Sequence, residues 1–235
     1  MDVQQPLLYD LSPRSMTFAH QLDGMKFIDP ALEQYACMYS QEEPSHLKEL
    51  AEETHAKVDL PQMLSGHLQG RFLSFVSRML HPRTVIDIGT YTGYSAICMS
   101  EGLADGGVVH TIDINMELAP MVDRYLRKAG VHDRVHQHLA PASEVLPSIE
   151  GPIDMVFIDA DKQNYSKYFD MVIDRVRPGG IIIADNVLWS GRVLEKDQDD
   201  ETRGLADYAR KVKEDTRVEN LLLPLRDGLL VSRKK

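Results

Sequence analysis

Two short stretches of the 235-residue chain carry side chains able to hold a cation and move a proton. Phe157-Ile158-Asp159-Ala160-Asp161-Lys162 sets two acids and a lysine directly after an apolar run, and Ala184-Asp185-Asn186 closes another. Asp159, Asp185 and Asn186 offer oxygen donors only. Such a set suits a hard octahedral cation that keeps water or substrate oxygens at its remaining positions, so Mg²⁺ (or another divalent cation such as Mn²⁺ or Ca²⁺) fits better than Zn²⁺. Lys162 lies three positions beyond Asp159, within reach of an oxygen held at that cation. There it is either a base whose proton the neighbouring charge makes easier to lose, or a simple counter-ion. The bland alternative is that these acids cap helices or pair with Lys162 and Arg192. Against it, acids gathered at two strand ends are costly unless solvated, paired or metal-bound.

A second group of residues surrounds a glycine turn. Asp87-Ile88-Gly89-Thr90-Tyr91-Thr92-Gly93 follows one apolar run and precedes a helical stretch, where backbone N–H groups and a close approach are open to a ligand. The G-x-G-x-x-G spacing that admits a pyrophosphate is absent, and Asp87 puts a carboxylate beside the turn. A ligand with a cationic portion fits better than one with two phosphates. Asp113 ends the next apolar run, where a carboxylate can accept from both ribose hydroxyls. A nucleoside with a positive, phosphate-free tail describes S-adenosylmethionine. The competing reading is a glycine turn with a helix-capping Asp.

These residues need a scaffold that brings strand ends together. Thr84 to Ile88, Val108 to Ile112, Ile153 to Ile158 and Ile181 to Ala184 are short apolar runs of the kind that form buried parallel strands, and Arg134 to Leu139 is a weaker one. Helical stretches lie between them: Tyr94 to Glu101 stops at Gly102, and Met116 to Ala129 stops at Gly130. This alternation predicts an α/β, doubly wound, Rossmann-like sheet, whose ligands sit beyond the carboxyl ends of its strands. Before it, Leu47, Leu50, Ala51 and Thr54 mark one amphipathic helix. Leu64, Leu68, Phe72, Phe75, Val76 and Met79 mark the apolar stripe of a second, ended by His81-Pro82. At the other end, Asn220 to Arg226 and Leu229 to Arg233, joined by a tight Asp227-Gly228 turn, predict an antiparallel hairpin at the sheet edge.

Composition narrows the partners. With 26 Lys+Arg against 36 Asp+Glu, the formal charge of −10 disfavours nucleic acid. No stretch reaches the ~20 apolar residues of a membrane span and no signal-peptide pattern opens the chain, so the expectation is a cytoplasmic protein with no membrane partner. Cys37 and Cys98 are the two cysteines, too few for a disulfide framework or a thiolate cage, and are expected to be buried. Residues 1–24 show no sustained period: they are either a flexible extension, or Met25 is the natural start. Residues 25–235 are expected to be one domain with an N-terminal helical cover.

Five ordered motifs now stand together: DIGTYTGYS (Asp87 to Ser95), TIDIN (Thr111 to Asn115), VFIDADKQNY (Val156 to Tyr165), ADNVLWSG (Ala184 to Gly191) and LPLRDGLLVSR (Leu223 to Arg233). From about Pro44 onward the chain resembles the cation-dependent O-methyltransferases of the caffeoyl-CoA and catechol type. The resemblance implies the class I methyltransferase fold, a seven-stranded, mostly parallel sheet with its last strand antiparallel. It assigns Asp159, Asp185 and Asn186 to the metal, Lys162 to the catalytic base and Asp113 to the ribose. Asp87, Gly89, Tyr91 and Ser95 match methionine-end contacts, Ala142, Ser143 and Asp161 match residues around the adenosine, and Ser65 aligns with a further cofactor contact. At the first carboxylate the family usually has Glu; Asp87 is one methylene shorter. A homodimer, with the N-terminal helices as the contact, is implied in the same way. The expected reaction is methylation of one hydroxyl of a vicinal-diol aromatic, with Asp159 at the reacting centre and Trp189 as either a wall of the acceptor site or ordinary core.

Two other functions stay open at this point. An Mg²⁺-dependent phosphatase could use the D-x-D of Asp159 and Asp161 with an aspartyl nucleophile, but leaves Gly89 and Asp113 unexplained. A non-catalytic nucleotide-binding module would need no metal cluster. His136 and His138 share a strand face, but with no third ligand apparent they are expected to be exposed edge histidines. Glu195 to Arg203 is expected to be a solvated loop, or a lid over the acceptor.

Overall fold

The apolar runs do form strands. The structure, a computed structural model, describes residues 28–235; the extension expected at residues 1–24 lies outside them. Strands β1 (Thr84–Ile88), β2 (Val108–Asp113), β3 (Val135–Leu139), β4 (Ile153–Ile158), β5 (Val176–Ala184), β6 (Val218–Leu223) and β7 (Leu229–Lys234) make one sheet in the order β3-β2-β1-β4-β5-β7-β6. All neighbouring pairs among the first five strands are parallel, and only β7 runs against the rest. The strand order reverses between β1 and β4, the place where open α/β sheets bind ligands.

Every residue of β4 is buried, because helices cover both faces. Its alternate side chains divide between two cores: Ile153, Val156 and Ile158 pack with Phe169 and Tyr208 on one face, and Met155 and Phe157 with Leu73 and Ile97 on the other.

The helices are α1 (Pro30–Met38), α2 (Ser45–Lys57), α3 (Gly66–Leu80), α4 (Tyr94–Ser100), α5 (Ala119–Lys128), α6 (Ala142–Val145), α7 (Tyr165–Ile173) and α8 (Asp200–Glu214). α2 buries Leu47, Leu50 and Thr54 as its spacing predicts. α5 starts at Ala119 rather than at Met116, since Pro120 has no N–H to give and belongs in a first turn. None of the described helices is long and apolar enough to cross a membrane.

Several expectations are corrected by packing. The stripe expected on α3 points partly outward: Phe75 and Met79 are 62% and 64% exposed, while Gln69, Gly70, Leu73, Ser74, Val76 and Ser77 face inward. Gly70 explains the choice of face, since a Cβ there would stand 2.5 Å from the Tyr94 ring; only a glycine lets α3 lie this close to α4. β5 begins five residues earlier than its apolar run. Ile153 pairs with Val176 but Met155 with Ile181, so Arg177 to Gly180 bulge out, which accommodates Pro178 inside a central strand. The hairpin turn is five residues long, Pro224 to Gly228, rather than the two of Asp227-Gly228. The acidic run is loop only in its first half. Asp199 caps α8 by accepting from Thr202 N–H at 2.8 Å, and Asp200 and Glu201 lie in the first turn, where the helix dipole favours acids.

His136 and His138 do acquire a third neighbour: His110 of β2 places Nδ1 3.0 Å from His138 Nε2. Burial, together with the two other imidazoles, pushes His110 down to about 4, so its ring is neutral near pH 7. Cys98 is buried as expected, but Cys37 is only half-buried.

Candidate active site

Parallel register lines up the strand ends that carry the chemistry. The ladder continues past each last strand residue: Gly89 N–H donates to Ile112 O at 2.9 Å, Asp159 N–H to Ile88 O at 2.8 Å and Asp185 N–H to Ile158 O at 2.9 Å. Asp113, Gly89, Asp159 and Asp185 therefore stand in a row at one edge of the sheet; the first three line a cleft of about 1650 Å³, and Asp185 is buried beside it.

Ser65, Gly89, Tyr91, Asp113, Ala142 and Ser143 line this cleft, and so do Asp159, Asp161, Lys162, Asn186 and Trp189. Asp185, Asp87 and Ser95 do not: all three are buried beneath its floor. Among the cleft's non-glycine residues Tyr91, Asn186, Trp189, Ser190 and Arg226 have φ between 46° and 59°. Strained backbone of this kind persists only where surrounding structure holds it, and it gathers at functional sites.

The glycine turn is set by sterics from above and by hydrogen bonds from below. Gly89 has φ +108°, and a Cβ on it would lie 1.9 Å from the Asp159 carbonyl oxygen. Underneath, Asp87 accepts from Thr111 Oγ1 at 2.7 Å and from Ser95 Oγ at 3.2 Å. Burial pushes the Asp87 carboxyl up to about 7, against the pull of those two hydroxyls, and Asp159 and Asp113 add to the rise. Asp113 accepts Tyr91 N–H at 2.8 Å through one oxygen and Asn115 N–H at 2.9 Å through the other, which fixes its carboxylate at the end of β2. Asp161 accepts the Tyr168 hydroxyl at 2.5 Å and the Asn164 amide.

The other half of the site centres on one ammonium. Lys162 Nζ is 2.9 Å from Asp159 Oδ1, 2.7 Å from Asn186 Oδ1 and 2.8 Å from the Tyr165 hydroxyl, with the Trp189 ring centroid at 5.6 Å. The pairing of Lys162 with Asp159 belongs to the bland reading of these acids; its other half does not form, since Arg192 pairs with Asp199 at 2.5 Å. Asp185 is raised above the usual carboxylate range, first by burial and then by Asp159; Arg226, Gln69 and the Asn186 N–H oppose the rise. The donors fit a hard divalent cation. They are all oxygen, and a positive charge already sits between Asp159 and Asn186. Among the described residues no three His, Cys, Asp or Glu side chains converge on a point; beside the carboxylates of Asp159 and Asp185, the Asn186 amide oxygen is a further oxygen donor at this edge.

Sequence reasoning passed over Tyr165, Gln69 and Arg226. Gln69 Nε2 donates to Asp185 Oδ2 at 2.6 Å, and Arg226 NH1 donates to Gln69 Oε1 at 3.2 Å. Gln69 is buried on α3, and a buried amide requires a polar partner.

Comparison with known proteins agrees with this geometry. A family model described as O-methyltransferase matches residues 37–235. Caffeoyl-CoA O-methyltransferase 5 of Nicotiana tabacum is 33% identical over 92% of this chain and 96% of its own length. A probable caffeoyl-CoA O-methyltransferase of Dictyostelium discoideum is 33% identical over 85% of this chain and 90% of its own. Among solved structures, the O-methyltransferase from Bacillus cereus in complex with SAH superposes with a TM-score of 0.81 at 30% identity, covering 87% of this chain and 97% of that one. TomG of Streptomyces achromogenes, an O-methyltransferase involved in tomaymycin synthesis and solved with SAM, gives 0.80 at 27% identity, covering 87% and 96%. Neither the phosphatase nor the non-catalytic module is favoured by these likenesses. With motifs, sheet order and strand-end residues all in agreement, the chain belongs to the O-methyltransferase family, alongside the caffeoyl-CoA O-methyltransferases.

Proposed function

We propose that the protein is an S-adenosylmethionine-dependent O-methyltransferase that methylates one hydroxyl of a vicinal-diol aromatic acceptor, a catechol, caffeoyl or flavonoid-like ring, with a divalent cation at Asp159, Asp185 and Asn186. The observation that carries the reading is the set of oxygen donors around Lys162 at the same sheet edge as the glycine turn and Asp113.

In this reading Asp113 receives the ribose, Ala142, Ser143 and Asp161 flank the adenosine, and Gly89 and Tyr91 face the methionine end, with Ser65 at the rim. Asp87 and Ser95 act from beneath, by holding the turn. When bound, the cofactor would supply an electrophilic methyl carbon, and a divalent cation held by Asp159, Asp185 and Asn186 would make an acceptor hydroxyl easier to deprotonate. Lys162 is the base: as the neutral amine left once its own proton has passed to solvent, Nζ takes the hydroxyl proton, and Asp159, Asn186 and Tyr165 hold Nζ in place to do so. Trp189 walls the acceptor, and the cleft supplies orientation, the larger part of the rate in a displacement that needs the oxygen in line with the methyl group.

The proposal extends to a cytoplasmic homodimer. Leu32, Tyr35 and Met38 of α1, Tyr39 just past its end, and Phe75 and Met79 of α3 are large apolar side chains left in water, the kind of surface a second copy would cover.

The test is a methyl-transfer screen over vicinal-diol acceptors with and without Mg²⁺, with product regiochemistry determined. Asp185→Ala and Asn186→Ala should each lose turnover while binding of the cofactor survives. Undiminished transfer in chelator-treated enzyme would refute the cation.

A further inference from the structure

Asp185 is held by two donors. Its Oδ1 accepts the Asn186 N–H at 2.7 Å and its Oδ2 accepts Gln69 Nε2 at 2.6 Å. Gln69 is fully buried on the inward face of α3, one and two turns before Leu73 and Ser77, and is absent from the cleft lining. It is therefore placed to touch the carboxylate but neither acceptor nor cofactor.

A buried glutamine amide can turn either end toward a carboxylate, and only the nitrogen end attracts it. Arg226 removes the choice. Its guanidinium donates to Gln69 Oε1 at 3.2 Å, so the amide oxygen faces a cation and the NH₂ group is left for Asp185. Arg226 is itself anchored, donating to Ser65 O at 2.6 Å and Gln62 O at 3.3 Å from a backbone with φ 51°. The result is a chain of directed hydrogen bonds running from the β6–β7 turn through α3 to the end of β5.

We propose that Gln69 is a positioning residue for the divalent-cation site, orienting the Asp185 carboxylate through an Arg226–Gln69–Asp185 relay. The inference rests on the reading of Asp159, Asp185 and Asn186 as cation ligands. Each Asp185 oxygen accepts one hydrogen bond and keeps a lone pair for coordination, so the relay aims the carboxylate without filling it. Partners that orient a metal's ligands from outside are worth roughly 10- to 100-fold in metal affinity. Because Gln69 does not line the cleft, its loss should act on the cation and leave cofactor affinity unmoved.

The experiment is a titration of the full chain with Mn²⁺, free Mn²⁺ being read by electron paramagnetic resonance. Wild type, Asp185→Ala, Gln69→Leu and Gln69→Met are compared, with S-adenosylhomocysteine affinity measured on each as the check on folding. Both Gln69 variants should bind Mn²⁺ about 10- to 100-fold more weakly, with S-adenosylhomocysteine affinity within about twofold of wild type. The unbranched Met keeps the test alive if Leu does not fold. If Asp185→Ala loses Mn²⁺ while both Gln69 variants match wild type, the relay is overturned and the cation site stands. If Asp185→Ala binds Mn²⁺ as wild type does, the cation site itself is wrong and the relay falls with it.

Discussion

Replacing Asp87 by Asn should stabilise the protein, and by more the higher the pH. Asp87 is fully buried and its carboxyl titrates at about 7 against an ordinary value of 3.8. Since the folded pKa lies above the unfolded one, the native state holds a proton that the unfolded state has released. The associated stability is complete below about pH 4 and is lost as pH rises through about 7. At about 1.4 kcal/mol per pKa unit, the loss has reached about 2 kcal/mol at pH 5.5 and about 4 kcal/mol at pH 8.5. The amide of Asp87→Asn cannot titrate and escapes it. The variant carries its own cost of about 1 kcal/mol at every pH, because its NH₂ group must face hydroxyls of Ser95 and Thr111 that now donate to the carboxylate. Asp87→Asn should thus be the more stable protein by about 1 kcal/mol at pH 5.5 and by about 3 kcal/mol at pH 8.5. Urea unfolding of both proteins at pH 5.5, 7 and 8.5 measures this, and the raised pKa of Asp185 cancels because both carry it. A difference between the two proteins that stays constant to within about 0.5 kcal/mol over that range would refute the protonated, buried Asp87.

Two further outcomes follow from the cleft. Gly89→Ala would put a Cβ 1.9 Å from the Asp159 carbonyl at a φ of +108°. The turn or the end of β4 has to move, so binding of S-adenosylmethionine, read by calorimetry, should be lost and the melting temperature lowered; retained affinity would show that the two strand ends are not coupled. Trp189→Ala should raise the acceptor KM about tenfold or more and leave cofactor affinity unchanged, on the scale of a buried aromatic contact. An unaltered acceptor KM would make Trp189 ordinary packing.

What the sequence disclosed was local. Asp113, Asp159, Asp185 and Asn186 were legible because each follows an apolar run directly, and parallel strands necessarily bring such ends to one edge of the sheet. The order of motifs was enough to name the family. Gln69 escaped because its partner lies 116 residues away, a contact no local pattern encodes. The stripe on α3 misled for a similar reason: its period is helical on either face, and only the close approach of α4 at Gly70 decides which face turns inward. The hairpin misled because Asp227-Gly228 is a good turn dipeptide, yet Leu188 N–H is committed to Asp227 O and Val187 N–H to Gly228 O, which draws both residues out of the strand pair.

By itself, then, the sequence determined the alternation of strands and helices and the residue types at the strand ends, since hydrophobic period and strand length are properties of a few neighbours. The tertiary structure decided which carboxylates reach the cleft and which lie beneath it, why Lys162 stands between Asp159 and Asn186, and how Asp185 is aimed. Those are distances between segments far apart in the chain, fixed only when two faces of one sheet are packed at once.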